Sequence, residues 1–159
     1  MANTIIVYYS LEGNVNFLAR ALASECGADV FRLETVKDYP KKGLMKFLHG
    51  GHDATIGYKP ELKKKPDISA YSRVVLGTPV WAGKMSAPLA SFIDAADFSG
   101  KEVFSIISSA GGPTKKCAGQ IAAEVQKKGG AVKAVESFVN PLRRGEEALE
   151  KIKAFAKNL

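Results

Sequence analysis

The sequence predicts a doubly wound α/β fold, a three-layer sandwich with a five-stranded parallel sheet between two layers of helices. Short apolar runs rich in β-branched and aromatic residues alternate with segments of helical periodicity along the chain. The runs do not alternate with polar residues, which is typical of strands covered on both faces of a parallel sheet. A chain of 159 residues with 46% apolar composition suits one domain, residues 1–159, with a substantial core.

The amino-terminal part predicts a strand, a helix and a second strand. The first strand is expected at Ile5–Tyr9. Gly13 then opens a helix that Gly27 ends, and its apolar positions follow helical spacing: Val15, Leu18, Ala19 and Leu22. The second strand is expected at Ala28–Leu33.

The next segment predicts little regular structure. A turn is expected at Lys37–Pro40 and a short helix at Gly43–Leu48. Gly50–Pro66, rich in Gly, Lys and Pro, predicts a long irregular connection beside the predicted site. Long connections in compact domains are often functional lids.

The remainder of the chain repeats strand and helix with short connections. The third strand is expected at Ser72–Leu76, followed by a helix at Ser86–Asp94 with Pro88 in its first turn. Right-handed crossovers would place the helices on both faces of the sheet. The later elements are expected at Val103–Ser108, Lys115–Lys127, Ala131–Val139 and Glu146–Ala156.

Charge and cysteine usage narrow the function classes. The formal net charge of +7 and the pI near 9.4 favour anionic partners, but no nucleic-acid-binding module is recognisable. No apolar run approaches membrane-spanning length and no signal-peptide pattern is seen, so we expect a cytoplasmic protein without membrane insertion. Cys26 and Cys117 lie outside any metal-ligand or disulfide spacing, and no metal site is predicted.

Three glycine-bearing loops follow predicted strands and carry the candidate site. In a parallel sheet such loops meet at the carboxyl edge, where ligands bind at the point of strand-order reversal. The first loop offers hydroxyl, amide and backbone donors ahead of a helix, as a phosphate requires. Taken alone it is equally consistent with an ordinary strand-to-helix turn. Its residues are Ser10, Leu11, Glu12, Gly13, Asn14 and Val15.

The second loop contains the single tryptophan of the chain, Trp81. An indole in a loop bounded by Pro and Gly is suited to stacking on a flat aromatic ligand, or else to packing over a sheet edge or a subunit interface. The residues of this loop are Thr78, Pro79, Val80, Trp81, Ala82, Gly83 and Lys84.

The third loop is nearly bare backbone. Its amides can face the polar edge of a heterocycle, although a helix-initiating turn is an alternative. A phosphate cradle, a stacking indole and a backbone polar edge, in that order along one crevice, match the shape of FMN. The residues of the third loop are Ser109, Ala110, Gly111 and Gly112.

With these loops the chain resembles the flavodoxin family over nearly its whole length. Family members carry a phosphate loop S/T-x-T-G-x-T, in which Ser10, Gly13 and Asn14 match, whereas Glu12 and Val15 replace threonines. The segment 77–85 looks like the first isoalloxazine loop. The resemblance implies strand order 2-1-3-4-5 and FMN as cofactor. The second isoalloxazine loop lacks the tyrosine often found in electron carriers, which would leave one flavin face open.

The resemblance implies a redox protein that transfers electrons through bound flavin, with FMN-dependent NAD(P)H reduction of quinones as the alternative. Its partner would be a redox protein or a small quinone-like acceptor. No side chain in the loops is an obvious catalytic acid or nucleophile, and His49 and His52 are the candidates for proton delivery. A flavin-free member of the fold stays open because of Glu12 and Val15. A signalling receiver domain is excluded because its acidic pair and phosphorylatable aspartate are missing.

Overall fold

A computed structural model describes residues 2–41 and 43–159. Within these residues six strands and five helices follow one another along the chain. They are β1 (Thr4–Tyr8), α1 (Asn14–Cys26), β2 (Asp29–Arg32), α2 (Leu44–Ile56), β3 (Arg73–Trp81), β4 (Lys84–Met85), α3 (Ala87–Ala95), β5 (Glu102–Ser109), α4 (Lys115–Lys127), β6 (Ala131–Val139) and α5 (Gly145–Ala156).

The strands form a parallel sheet in the order β2-β1-β3-β5-β6, and the short β4 pairs antiparallel with the end of β3. The expected order 2-1-3-4-5 is confirmed when β4 is left out of the count. Strand order reverses beside β1, because β2 lies on one side of it and β3 on the other. The gap beyond the carboxyl ends of β1 and β3 is therefore the position where such sheets bind ligands.

Two apolar clusters cover the two faces of the sheet and complete the predicted three layers. Alternate residues of β1 point to opposite faces, as the period of a strand requires. Ile6 and Tyr8 pack with α1 and α5, whereas Ile5 and Val7 belong to the cluster that includes α3 and α4. Within the described residues, no helix combines the length and the apolar character needed to cross a bilayer.

Gly77 of β3 sets the distance between the sheet and the start of α1. A Cβ atom at this position would lie 2.7 Å from Tyr8 Cβ and 2.9 Å from Val15 Cγ1. Any larger residue would therefore push α1 away from the sheet. The close approach places the amino terminus of α1 directly beside the ends of β1 and β3.

The structure corrects the prediction between residues 43 and 66. The expected short helix at Gly43–Leu48 is a 13-residue helix that continues to Ile56 and includes Gly50 and Gly51. The predicted irregular connection is therefore helical over its first seven residues, 50–56. The remainder crosses back to β3 and forms an isolated antiparallel bridge between Thr35 and Leu62.

The structure also corrects the third strand, which we expect to end at Leu76. β3 continues through Pro79 to Trp81 and turns back into β4. Pro79 fits the strand because it lies near the end of the ladder, where it is paired with Ser108. The second predicted loop is thus a β-hairpin rather than an irregular loop.

Candidate functional site

A cavity of about 220 Å³ lies at the carboxyl ends of β1, β3 and β5 and brings the three predicted loops together. Its position agrees with the switch in strand order beside β1. The lining residues are Leu11, Glu12, Asn14, Lys46, Gly51, Pro79, Val80, Trp81, Ala82, Ser108, Ser109, Ala110 and Asn140.

The first loop ends at the uncapped amino terminus of α1. Gly13 has φ +99° and no side chain caps the helix, nor does its first turn hold an acidic residue. The first helical hydrogen bond runs from Phe17 N to Gly13 O at 3.0 Å. The backbone N–H groups of residues 14–16 therefore have no acceptor within the helix, and they carry the positive end of its dipole.

Ser10 stabilises the turn of this loop through two hydrogen bonds. Its side chain is buried, and its hydroxyl accepts a hydrogen bond of 3.1 Å from Gly13 N. Its carbonyl accepts a hydrogen bond of 2.8 Å from Arg32 Nη2. Ser10 does not line the cavity, so the structure shows it stabilising the turn that presents the helix end.

Glu12 and Lys46 form an ion pair at the mouth of this loop. Lys46 Nζ lies 2.9 Å from Glu12 Oε1, and the side chains are 19% and 47% exposed respectively. Both residues line the cavity. The pair reduces the negative charge that Glu12 would otherwise place beside a bound anion. Sequence reasoning missed Lys46, because no local pattern in α2 shows that it reaches across to the first loop.

A fourth strand end also contributes to the cavity. Asn140, directly after β6, lines it with a left-handed backbone (φ +43°). The next turn is tied to α1, because Leu142 N donates a hydrogen bond of 3.2 Å to Asn14 Oδ1. Asn140 is followed by Pro141 after a predicted strand, and this turn signal could have pointed to a fourth loop.

The second predicted loop is a tight hairpin between β3 and β4. Ala82 (φ +50°) and Gly83 (φ +78°) are its two central residues. Positive φ at both positions is the geometry of a type I′ turn, which matches the twist of the strands but strains an alanine. Thr78 is fully buried, and its Oγ1 accepts a hydrogen bond of 2.9 Å from Ser86 N. Thr78 therefore anchors the hairpin to α3 and does not face the cavity.

Trp81 lines the cavity but is mostly enclosed by protein, with 9% exposure. Its ring makes edge contacts with Tyr9 and Tyr39, at centroid distances of 5.5 and 4.8 Å. A Cβ atom built on Gly50 would lie 3.0–3.2 Å from three indole atoms, so the backbone of α2 covers this part of the ring. Stacking of Trp81 on a ligand stays a prediction.

Burial keeps the two neighbouring tyrosines protonated. It raises the pKa of Tyr9 to about 12. Burial also raises the pKa of Tyr39, and the hydrogen bond that Tyr39 Oη donates to Asp53 Oδ2 at 2.7 Å adds to this shift. Both side chains are therefore neutral hydrogen-bond donors at physiological pH.

The third loop contributes Ser109 and Ala110 to the cavity. Gly111 has φ +117°, and its N–H donates a 3.3 Å hydrogen bond to Ser109 Oγ. Gly111 and Gly112 are exposed and lie beyond the lining. The loop brings small residues and backbone to the cavity that the hairpin also lines.

The structure thus divides the predicted site residues into two groups. Val15 is a core residue with 1% exposure, so no hydroxyl is expected at its side-chain position. Those that line the cavity are Leu11, Glu12, Asn14, Pro79, Val80, Trp81, Ala82, Ser109 and Ala110. Those that shape or flank it without lining it are Ser10, Gly13, Val15, Thr78, Gly83, Lys84, Gly111 and Gly112.

The two histidines expected to deliver protons lie on α2 outside the cavity lining. The ring of His49 is 5.4 Å from that of Tyr39. His52 Nδ1 lies 3.4 Å from Asp53 Oδ1. Neither histidine is among the residues that line the central cavity.

Comparison with known proteins agrees with this architecture. The chain is 29% identical over 99 residues to a protein named NAD(P)H dehydrogenase (quinone) from Caulobacter vibrioides (strain NA1000 / CB15N). This match covers 60% of the chain and 47% of that protein, so the chain spans about half the length of the curated relatives it matches.

Two solved structures share the fold. A flavoprotein in complex with FMN from Lactobacillus acidophilus NCFM has a TM-score of 0.72 and 22% identity, covering 91% of this chain and 98% of that one. Oxidised Flavodoxin 2 from Bacillus cereus has a TM-score of 0.63 and 19% identity, covering 98% and 95%. A family model described as flavodoxin matches residues 3–133. The chain therefore belongs to the flavodoxin family.

Proposed function

We propose that this protein binds FMN in the central cavity and transfers electrons through the bound flavin. The observation that carries this proposal is the convergence of four strand ends on one cavity beside an uncapped helix terminus. Membership of the flavodoxin family and the related structure with FMN support FMN as the cofactor. When bound, FMN would supply the electron-transfer chemistry.

The residues at the first loop fit a phosphate monoester. The N–H groups of residues 14–16 are available as donors, and Gly13 lets the backbone approach the anion closely. Glu12 departs from the family pattern by placing a carboxylate in this loop. Lys46 offsets the negative charge of that carboxylate. We infer that the ion pair keeps the loop compatible with phosphate although two threonines are missing.

The other end of the cavity suits a planar ring. Val80, Trp81 and Ala82 of the hairpin and Ser109 and Ala110 of the third loop line it. The small residues of the third loop allow close approach of a heterocycle and its polar edge to backbone amides. Edge contacts with Tyr9 and Tyr39 hold Trp81 in place, so this wall is rigid before a ligand binds.

Reduction of quinones by NAD(P)H is the second candidate function. Curated relatives with this name support it, and the absence of an aromatic side chain from the described third loop, residues 109–112, leaves room for an acceptor beside the ring. A quinone-like acceptor would then replace a redox partner protein. The two functions differ in the electron donor, which is the basis of the test.

The test begins with the apoprotein, to which FMN and riboflavin are added separately. We expect the bound-flavin absorption spectrum with FMN and weaker binding of riboflavin, which lacks the phosphate. Anaerobic NADH or NADPH is then added to the FMN complex. Rapid bleaching would support the reductase, whereas bleaching by dithionite alone would support the carrier. Failure to bind FMN would overturn both.

A further inference from the structure

A second cavity of about 570 Å³ lies between the carboxyl half of α2 and two chain segments that pair with each other. Val36 N donates a 2.9 Å hydrogen bond to Glu61 O, which joins the segments, and Tyr58 N donates one of 2.9 Å to Asp53 O, which joins them to α2. The walls are therefore fixed by backbone hydrogen bonds. The cavity and the central one have no lining residue in common.

Aromatic and apolar groups dominate the surface of this second cavity. Tyr39 is buried in its wall and contacts the ring of His49. Val36, Ile56 and Tyr58 also line it, and each is more than half exposed. Apolar side chains left exposed around a concavity mark a binding surface, because their burial against a ligand is favourable.

The charge of the cavity is opposite to that of the whole molecule. Asp38, Asp53 and Glu61 line it, and among the described lining residues Lys37 is the single lysine or arginine. The whole chain carries a formal net charge of +7. A cation would therefore be attracted to this cavity even though the rest of the surface repels it.

Asp53 places a carboxylate inside this aromatic wall. The residue is only 7% exposed, and the hydroxyl of Tyr39 donates to its Oδ2 at 2.7 Å. Among the described residues, the basic side chain in contact with it is that of His52, whose Nδ1 lies 3.4 Å from Oδ1 and which is largely exposed to solvent. A buried carboxylate whose main partner is a neutral hydroxyl is stabilised further when a cation enters the cavity.

We propose that the second cavity binds a small organic cation that carries an aromatic ring. The cationic group would lie against the exposed ring of Tyr58, because cations are attracted to aromatic faces, with the buried Tyr39–Asp53 pair in the wall beside it. The carboxylates would balance its charge, and the exposed apolar side chains would cover its ring. This proposal does not depend on FMN, because the two cavities have separate linings.

The test compares three ligands with the same ring and different charge: benzyltrimethylammonium, benzyl alcohol and benzoate. Each is titrated into the isotope-labelled apoprotein while backbone amide resonances are recorded. We expect the cation to bind about tenfold more tightly than the alcohol, with shifts centred on residues 36–39 and 49–61, and benzoate to bind most weakly. Equal affinities, or shifts centred elsewhere, would overturn the proposal.

Exposed positions allow variants that spare the core. Tyr58→Leu removes an aromatic face, whereas Tyr58→Phe keeps it. We therefore expect only Tyr58→Leu to lower the affinity for the cation severalfold. Glu61→Gln should lower the affinity for the cation and leave the affinity for the alcohol unchanged. Glu150 is an exposed carboxylate on α5, and Glu150→Gln should change neither affinity. The proposal would be contradicted if the Glu150 variant lost its preference for the cation. It would also be contradicted if the Glu61 variant bound the cation as tightly as the unchanged protein. FMN affinity, measured separately, reports on the central cavity alone.

Discussion

At the scale of single residues, the Glu12–Lys46 pair connects the first loop with α2 across the central cavity. The pair explains how a carboxylate can occupy a loop proposed to hold a phosphate. It also makes a phosphate-specific prediction, because riboflavin has the ring of FMN without its charge.

Glu12→Gln should tighten FMN binding, and Lys46→Gln should weaken it, each by up to about fivefold. The charges lie near the surface, where one such interaction contributes about 1 kcal/mol or less. Riboflavin affinity should stay unchanged in both variants. Flavin fluorescence titrations would check this, with Lys153→Gln on α5 as the matched control. Equal effects on FMN and riboflavin would show that the pair acts on the loop rather than on the phosphate.

Cys117 offers a second prediction at this scale. It lies in the first turn of α4, where a helix dipole favours a thiolate, but the side chain is fully buried and burial raises the pKa to about 12. A raised pKa means that the folded state favours the protonated thiol. The contribution of this thiol to the stability of the folded state is complete at pH values below its ordinary pKa of 9.0. It is lost as the pH rises toward 12.

In a Cys26→Ser variant, which leaves Cys117 as the one thiol, iodoacetamide should modify the folded protein at least about a hundredfold more slowly than the urea-unfolded chain at pH 8. Loss of stability should begin above pH 9. The reciprocal Cys117→Ala variant reports on Cys26, which is partly exposed. Rapid modification of Cys117 in the folded protein would contradict the assignment of an inert core thiol.

At the scale of elements, α2 is the helix that forms one side of both cavities. Its two central glycines lie in different surroundings. A Cβ at Gly50 would lie 3.0 Å from the indole of Trp81, whereas one at Gly51 would have its nearest neighbour, Ala82 Cβ, at 3.7 Å. Trp81 cannot easily yield, because Tyr9 and Tyr39 pack against it.

Gly51→Ala should therefore raise the free energy of unfolding by about 0.5–1 kcal/mol, the usual gain from replacing glycine within a helix. Gly50→Ala should lower it, because the clash with Trp81 outweighs the same gain. Urea denaturation of the two variants, each the control for the other, would measure the difference. Equal stabilisation by both would show that α2 does not pack on the indole as the structure has it.

The same helix shows where prediction from sequence stops. The strands with continuous apolar runs and the amphipathic helices could be predicted closely, and α4 and β6 have the predicted bounds. The full length of α2 could not be predicted in this way. Its helical periodicity is obscured by the glycines at 50 and 51 and by the exposed apolar residues Leu44, Met45 and Leu48. Gly50 is explained by a tertiary contact with Trp81, which local propensity does not contain.

The candidate site follows the same division. Loops after strands could be located, because the carboxyl ends of parallel strands share one edge. The inward or outward direction of each side chain could not be predicted from the sequence. Thr78 and Val15, expected at the site, are buried in the structure. Lys46 comes from a helix more than thirty positions away from Glu12 in the chain, a pairing that only the fold creates.

At the scale of the whole molecule, the formal net charge of +7 gives the chain a positive long-range field. Positive charge around a flavin favours the anionic reduced form. Lys46 lines the cavity, whereas Lys84, which we expect to do so, extends instead toward the carbonyl of Thr55 at 3.5 Å. Because Glu12 offsets Lys46, the remaining effect comes from the long-range field of the chain.

The semiquinone/hydroquinone couple of the FMN complex should therefore be less negative than in acidic flavodoxins, and it should fall as salt is added. Raising the ionic strength from about 10 mM to about 500 mM shortens the screening length from roughly 30 Å to a few ångströms. We expect the potential to fall on the order of 20–40 mV, equivalent to about 0.5–1 kcal/mol for one electron. Anaerobic titration of the holoprotein at both salt concentrations would measure this. Glu12→Gln should raise the potential at low salt, since it removes a negative charge from the cavity lining. A potential that is independent of salt, or that rises with it, would show that local contacts and not the basic surface control the flavin.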